Sequence, residues 1–193
     1  MAKNETNWQV ISGCEIKLYE SHADYEDDYS VHYRSMAASL SNYYRFAIFG
    51  VENNDDEVLD SFESFIDEEN LLHAVDTDFK HIDYVIVDVA VKGKTLDLYT
   101  KGDSDIFVKY DGVWVDAYDF SGIQYREDTS RHRDEKLGFG RRIKKSKVDE
   151  FIICSAFSGL SATELNHFLF DNDLTDEFNF DETDTVVLMH VKL

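Results

Sequence analysis

Residues 82–119 read IDYVIVDVAVKGKTLDLYTKGDSDIFVKYDGVWVDAYD, with apolar positions recurring every second residue between glycine-bearing turns. That period belongs to extended strands that bury one face. It predicts strands near Ile82–Lys92, Thr95–Thr100, Ile106–Tyr110 and Val113–Asp119, joined at Gly93, at Gly102-Asp103-Ser104 and at Asp111-Gly112. Asp-Gly between two such runs is a two-residue hairpin signal, because both residue types tolerate the left-handed backbone that the turn requires. It sets Tyr110 opposite Val113 and Lys109 opposite Trp114. One face of the meander then reads Leu96, Leu98, Ile106, Val108, Tyr110, Val113, Val115 and Ala117, which is a core face. The other carries Asp97, Tyr99, Phe107, Lys109, Trp114, Asp116 and Tyr118, with Asp97 expected near Lys109.

Outward from this stretch, further strands are expected over Trp8–Tyr19, Tyr44–Phe49, Phe151–Phe157 and Thr185–Leu193. Ser35–Ser41 reads as helical. Asn54 is placed to cap a helix running to about Glu69 or Leu72, with Val58, Leu59, Phe62, Phe65 and Ile66 as its apolar stripe. Ser161-Ala162-Thr163-Glu164 fits a capping box for another helix ahead of Leu165, Phe168 and Leu169. The fold expected is α+β: an antiparallel β-meander over about residues 82–119, additional strands near both termini, and two or three flanking helices, all within one acidic domain over 1–193.

The chain carries 40 Asp+Glu against 19 Lys+Arg, a net charge of −21, but its 14 Phe, 11 Tyr and 2 Trp supply a core that disordered acidic chains lack. No N-terminal apolar run of secretory length and no bilayer-length span is present, and the two cysteines, Cys14 and Cys154, form neither a metal spacing nor a disulfide framework. A cytoplasmic protein is expected, in a host's cytoplasm if the chain is viral.

On the helix from Asn54, the acids Asp56, Asp60, Glu63 and Asp67 recur at i, i+4, i+7 and i+11, opposite the apolar stripe. At about 1.5 Å rise per residue they form a row roughly 16 Å long. No lysine or arginine on that helix face offsets their repulsion. DNA presents one phosphate per strand about every 3.4 Å, the same order of spacing. Two further acidic runs are interleaved with aromatic rings. Asp24, Glu26, Asp27 and Asp28 lie around Tyr25 and Tyr29; Asp173, Asp176 and Glu177 belong to the run 171–184 with Phe178 and Phe180. Acid with aromatic is what a cleft built for nucleic acid would accept in place of phosphate and base.

Against this stands a basic island: residues 126–147 hold nine cations and four acids, leaving −26 on the remainder. It reads as a loop-like segment, with Arg141, Arg142, Lys144 and Lys145 as candidate contacts to an acidic feature of a partner or of a second copy of this chain.

Reaction motifs fail on inspection. Residues 171–182 match several calcium-loop positions, but Asp176 stands where that loop requires glycine, and Glu164-x-x-His167 lacks the second such helix of a di-metal bundle. Asp88 within an apolar strand is explained by a hydrogen-bonded core acid, and His132 by a surface loop. No catalytic residue, metal centre or cofactor is therefore expected.

Composition thus points to a non-enzymatic acidic protein that occupies the basic surface of a nucleic-acid-handling protein and inhibits it by mimicking nucleic-acid charge. In character it is similar to viral anti-restriction and anti-CRISPR DNA mimics. The partner would be a basic protein, with neither DNA nor membrane bound directly. Two alternatives use the same charges: a small nucleotide- or nucleic-acid-acting enzyme with the basic segment as phosphate contact and Asp88, Asp116 or His132 among its acids and bases, and an immunity protein against a basic toxin.

Overall fold

In the computed structural model, which describes residues 2–5, 9–22, 31–52, 55–66, 79, 81–102, 104–117, 124–125, 139–155 and 186–193, the quoted stretch is divided between two sheets. The strands are β1 (Ala2–Glu5), β2 (Gln9–Ile11), β3 (Cys14–His22), β4 (Val31–Ser39), β5 (Tyr43–Glu52), β6 (Ile82–Ala90), β7 (Thr95–Lys101), β8 (Asp105–Tyr110), β9 (Val113–Asp116), β10 (Gln124–Tyr125), β11 (Phe139–Lys144), β12 (Val148–Cys154) and β13 (Val186–Lys192). Helix α1 spans Asp56–Ile66, and a single 3-10 turn, Lys145–Lys147, joins β11 to β12. One sheet runs β1-β3-β13-β12-β8-β9, with β2 also on β3; the other runs β10-β11-β7-β6-β5-β4, and every pairing is antiparallel.

The hairpin reading holds. Asp111 and Gly112 adopt φ of 50° and 81°, and Tyr110 pairs with Val113 and Lys109 with Trp114. Ser12-Gly13, at φ 54° and 83°, makes the equivalent turn between β2 and β3.

The single meander does not hold, because the chain crosses between sheets after β7. Gly102 sits at the crossing with φ 79°, and a Cβ there would run into the Asp83 carboxyl. Leu96 and Leu98 from one sheet, and Ile106 and Val108 from the other, share the inter-sheet core with Phe46, Ile48, Val85, Val87, Phe151, Ile153, Val187 and Val191. Facing surfaces of two packed sheets show the same alternation as one face of one sheet, so period alone cannot tell them apart. Across this core Phe46 and Phe151 meet edge to face at 5.5 Å.

One expected helix also changes. Ser35–Ser41 contains good helix formers, yet β4 pairs residue for residue with β5 from Val31↔Glu52 to Ser39↔Tyr44, and tertiary pairing overrides a weak local propensity. The segment from Ser161 lies outside the described residues. The α+β expectation is therefore corrected: this is a mostly β, two-sheet sandwich with one helix among the described residues. That helix starts one residue later than expected, since Asp55 caps it, its Oδ1 accepting from the Val58 N–H at 3.2 Å. Its Leu59, Phe62 and Ile66 bury a second core on the outer face of the β5–β6 sheet. There Phe62 meets Phe49 and Phe79 at 5.2 Å each and Tyr84 at 5.6 Å.

Candidate functional site: paired charges on the outer faces of the sandwich

The side chains facing the sheet from α1 are apolar, but the flank of the helix is not. Asp56, Asp60 and Glu63 lie together there, and Arg34 on β4 reaches all three, at 2.7, 2.6 and 3.4 Å. Hydrogen bonds to Asp60 and Asp56 hold the Arg34 guanidinium well above its ordinary pKa. The row, with no cation on its own helix face, thus gains one from a neighbouring strand, where no helix-wheel reading could find it. Asp67 lies outside the described residues.

Cross-strand register builds a second feature on the same face. Arg45 pairs with Asp88, Asp88 with Asp97, and Asp97 with Arg142, one residue on each of β5, β6, β7 and β11. Two carboxylates directly opposite one another repel. Each is neutralised from its outer side. Arg45 Nε and Nη2 donate to the two Asp88 oxygens at 2.7 and 2.6 Å, and Arg142 Nε and Nη2 donate to those of Asp97 at 2.5 and 2.9 Å. Arg45 Nη1 also donates to the Ile66 carbonyl at the end of α1. Arg45, Asp88 and Asp97 are all buried, while the Arg142 side chain is 42% exposed.

On the outer face of the other sheet, Lys109 Nζ donates to Glu150 Oε1 at 2.9 Å, and His190 Nε2 lies 2.7 Å from Glu150 Oε2. His190 holds the Glu150 carboxyl down at a pKa of about 2, aided by Lys109 and opposed by burial. An ionised carboxylate only accepts, so Nε2 carries the hydrogen. The His190 ring also packs edge-on against Trp114, at 6.0 Å.

In the described part of the basic island, three of the cations meet the protein's own groups. Phe139–Lys144 is a strand, not a loop, and Arg142 is spent on Asp97. Lys145 Nζ donates to the Ala90 carbonyl at 3.3 Å, and Lys147 Nζ contacts Asp111 at 2.6 Å. Lys144 is exposed, and Arg141 pairs in register with Leu98. Asp97, expected near Lys109, is on the other sheet. Residues 126–138, the run with Asp24, Glu26, Asp27 and Asp28, and the run with Asp173, Asp176 and Glu177 lie outside the described residues.

Sequence reasoning singled out Asp88 but missed its partner. A usable signal was there: Arg45 is the matching opposite charge inside another apolar run. Glu150 had none, since it follows Asp149 near the start of its strand instead of interrupting an apolar run.

Chemically, these are closed arrangements. Both oxygens of Asp88, Asp97 and Glu150 are occupied by cationic or N–H donors, which suits them to clamp strands and helix. A hard cation such as Mg²⁺ needs open carboxylates. Among the described residues no group of three or more His, Cys, Asp or Glu could hold a metal ion. No described helix is long and apolar enough to cross a membrane.

No protein-family model matches the chain, and no curated protein matches it. Solved structures do. RsbX in complex with magnesium is similar over 100% of both chains, at 9% identity and a TM-score of 0.58. A variant of a bacterial serine phosphatase is similar over 92% of this chain and 96% of its own, at 11% identity and a TM-score of 0.53. A structure from the bacterial stressosome, a modular system adapted to control secondary messenger signalling, is similar over 93% and 99%, at 10% identity and a TM-score of 0.54. Identities this low make the likeness one of fold. It corrects the functional expectation: the fold resembles those of a bacterial serine phosphatase and of RsbX, which does not support a viral anti-CRISPR or anti-restriction DNA mimic, and neither the nucleotide-enzyme nor the immunity-protein alternative is supported by it.

Proposed function

We propose that this chain is a phosphatase-fold regulatory protein that acts in the cytoplasm by binding another protein, as one unit over residues 1–193, and not by metal-dependent hydrolysis. One observation carries the reading. On a fold shared with serine phosphatases and with a magnesium-bound neighbour, the buried carboxylates Asp88, Asp97 and Glu150 are each closed at both oxygens by the protein's own donors. These three carboxylates, already neutralised by the protein's own cations and N–H donors, therefore do not fit a divalent metal. Free, buried Cys14 and Cys154, with burial raising both thiol pKa values, agree with a reducing compartment.

The test is hydrolysis of para-nitrophenyl phosphate and of a phosphoserine peptide with Mg²⁺ or Mn²⁺, beside a serine phosphatase as positive control. The expected result is no metal-dependent turnover and no rise in melting temperature on adding either ion. Turnover that requires the ion would place a working metal centre in this protein and end the reading.

A further inference from the structure

Strand β4 is the terminal strand of its sheet, pairing with β5 on one side, and among the described residues no strand pairs with its other side. Which backbone groups face that open side follows from the hairpin. The Leu40 N–H donates to the Tyr43 carbonyl at 2.8 Å, closing the turn with a hydrogen-bonded pair. Such pairs alternate with non-bonded ones along an antiparallel ladder, and the β4–β5 register runs from Ser39↔Tyr44 to Val31↔Glu52 without a break. Ala38, Met36 and Arg34 therefore exchange bonds with β5, while the N–H and C=O groups of Ser39, Ala37 and Ser35 point to the open side.

We propose that this edge of β4 takes up an extended basic segment of a partner protein as an added strand. Charge selects the occupant. A strand added there would lie about 4.8 Å beyond β4 and present alternate side chains on the face that carries Arg34. On that face Asp56, Asp60 and Glu63 share one guanidinium, and their side chains remain 68%, 72% and 46% exposed. Lysines or arginines at every second position would answer that excess, with main-chain hydrogen bonds giving affinity and the alternate cations giving selectivity. A second copy fits less well, since it would bring its own carboxylate row to the same seam and −21 of its own charge.

The proposal rests on the protein-binding reading above, but its test fails separately from the hydrolysis assay. A fluorescently labelled nine-residue peptide alternating lysine and threonine is titrated into the full chain and followed by anisotropy. Binding is expected to weaken with salt, and by tenfold or more in each of three changes. These are N-methylation of alternate peptide amides, Ala37→Pro, which removes an open-side N–H without breaking a bond to β5, and the triple change Asp56→Asn, Asp60→Asn and Glu63→Gln. Should Ala37→Pro not fold, the N-methylated peptide makes the same test on the unaltered protein. No binding of the parent peptide overturns the proposal, as does equal affinity for its N-methylated form or for a glutamate-threonine counterpart. A dimer by light scattering that Ala37→Pro dissociates also overturns it, in favour of a second copy.

Discussion

The clasp of Arg34 on α1 and the ladder Arg45–Asp88–Asp97–Arg142 use the same residue types on the same face of one sheet, yet they are different physical objects. In the clasp, one arginine meets three carboxylates whose side chains are 46% to 72% exposed. Water solvates each charge almost as well as its partner does, so such contacts contribute little to stability. In the ladder, Arg45 and Asp88 are 1% and 3% exposed, and neither has water to fall back on. There the pair is close to balanced against its own desolvation, but the loss of one member leaves an uncompensated charge in the core. Position within the fold, not charge count, decides which acids matter to folding.

The sharpest way to break that comparison is Arg45→Met. It strands Asp88 and frees the Ile66 carbonyl at the helix end, and a loss of about 3–5 kcal/mol is expected by urea unfolding. Adding Asp88→Leu should return most of it, because the two apolar side chains no longer bury a lone charge. A double variant as unstable as the single one would show that the ladder does more than neutralise itself.

Glu150 gives an intermediate case, tested by pH. Its carboxyl is held from about 4.5 down to about 2, so its contribution is complete above the ordinary value and is lost as pH falls through that window. On the order of 3 kcal/mol is at stake. Glu150→Gln should flatten the part of the stability profile that the native protein loses over that range, and coincident profiles would remove Glu150 from the account. The smallest effect belongs to the clasp. Arg34→Ala should cost under about 1 kcal/mol, and less as salt is added. A salt-independent loss as large as that of Arg45→Met would erase the distinction between the two sites.

Strand positions were legible in the sequence wherever alternation and a turn coincided, as at Asp111-Gly112. Sheet membership was not. Leu98 and Ile106 lie in facing sheets, and nothing in a period of two says whether a neighbour is beside a strand or across a core. Met36-Ala37-Ala38 misled for the opposite reason, since local preference there is outweighed by a nine-residue register with β5. The charged pairs were the least legible. The Arg34–Asp56 and Asp97–Arg142 partners are separated by 22 and 45 residues, and only the folded register brings them together.

β13, the last strand described, lies not at an edge but between β3 and β12. During synthesis its sheet stays in two halves, each showing an unpaired flank, until residues 186–192 have left the ribosome. Without β13 the sheet is two pieces, each with a sticky seam of the kind that aggregates or is seized by chaperones. β13 is therefore the strand on which the union of the two halves depends.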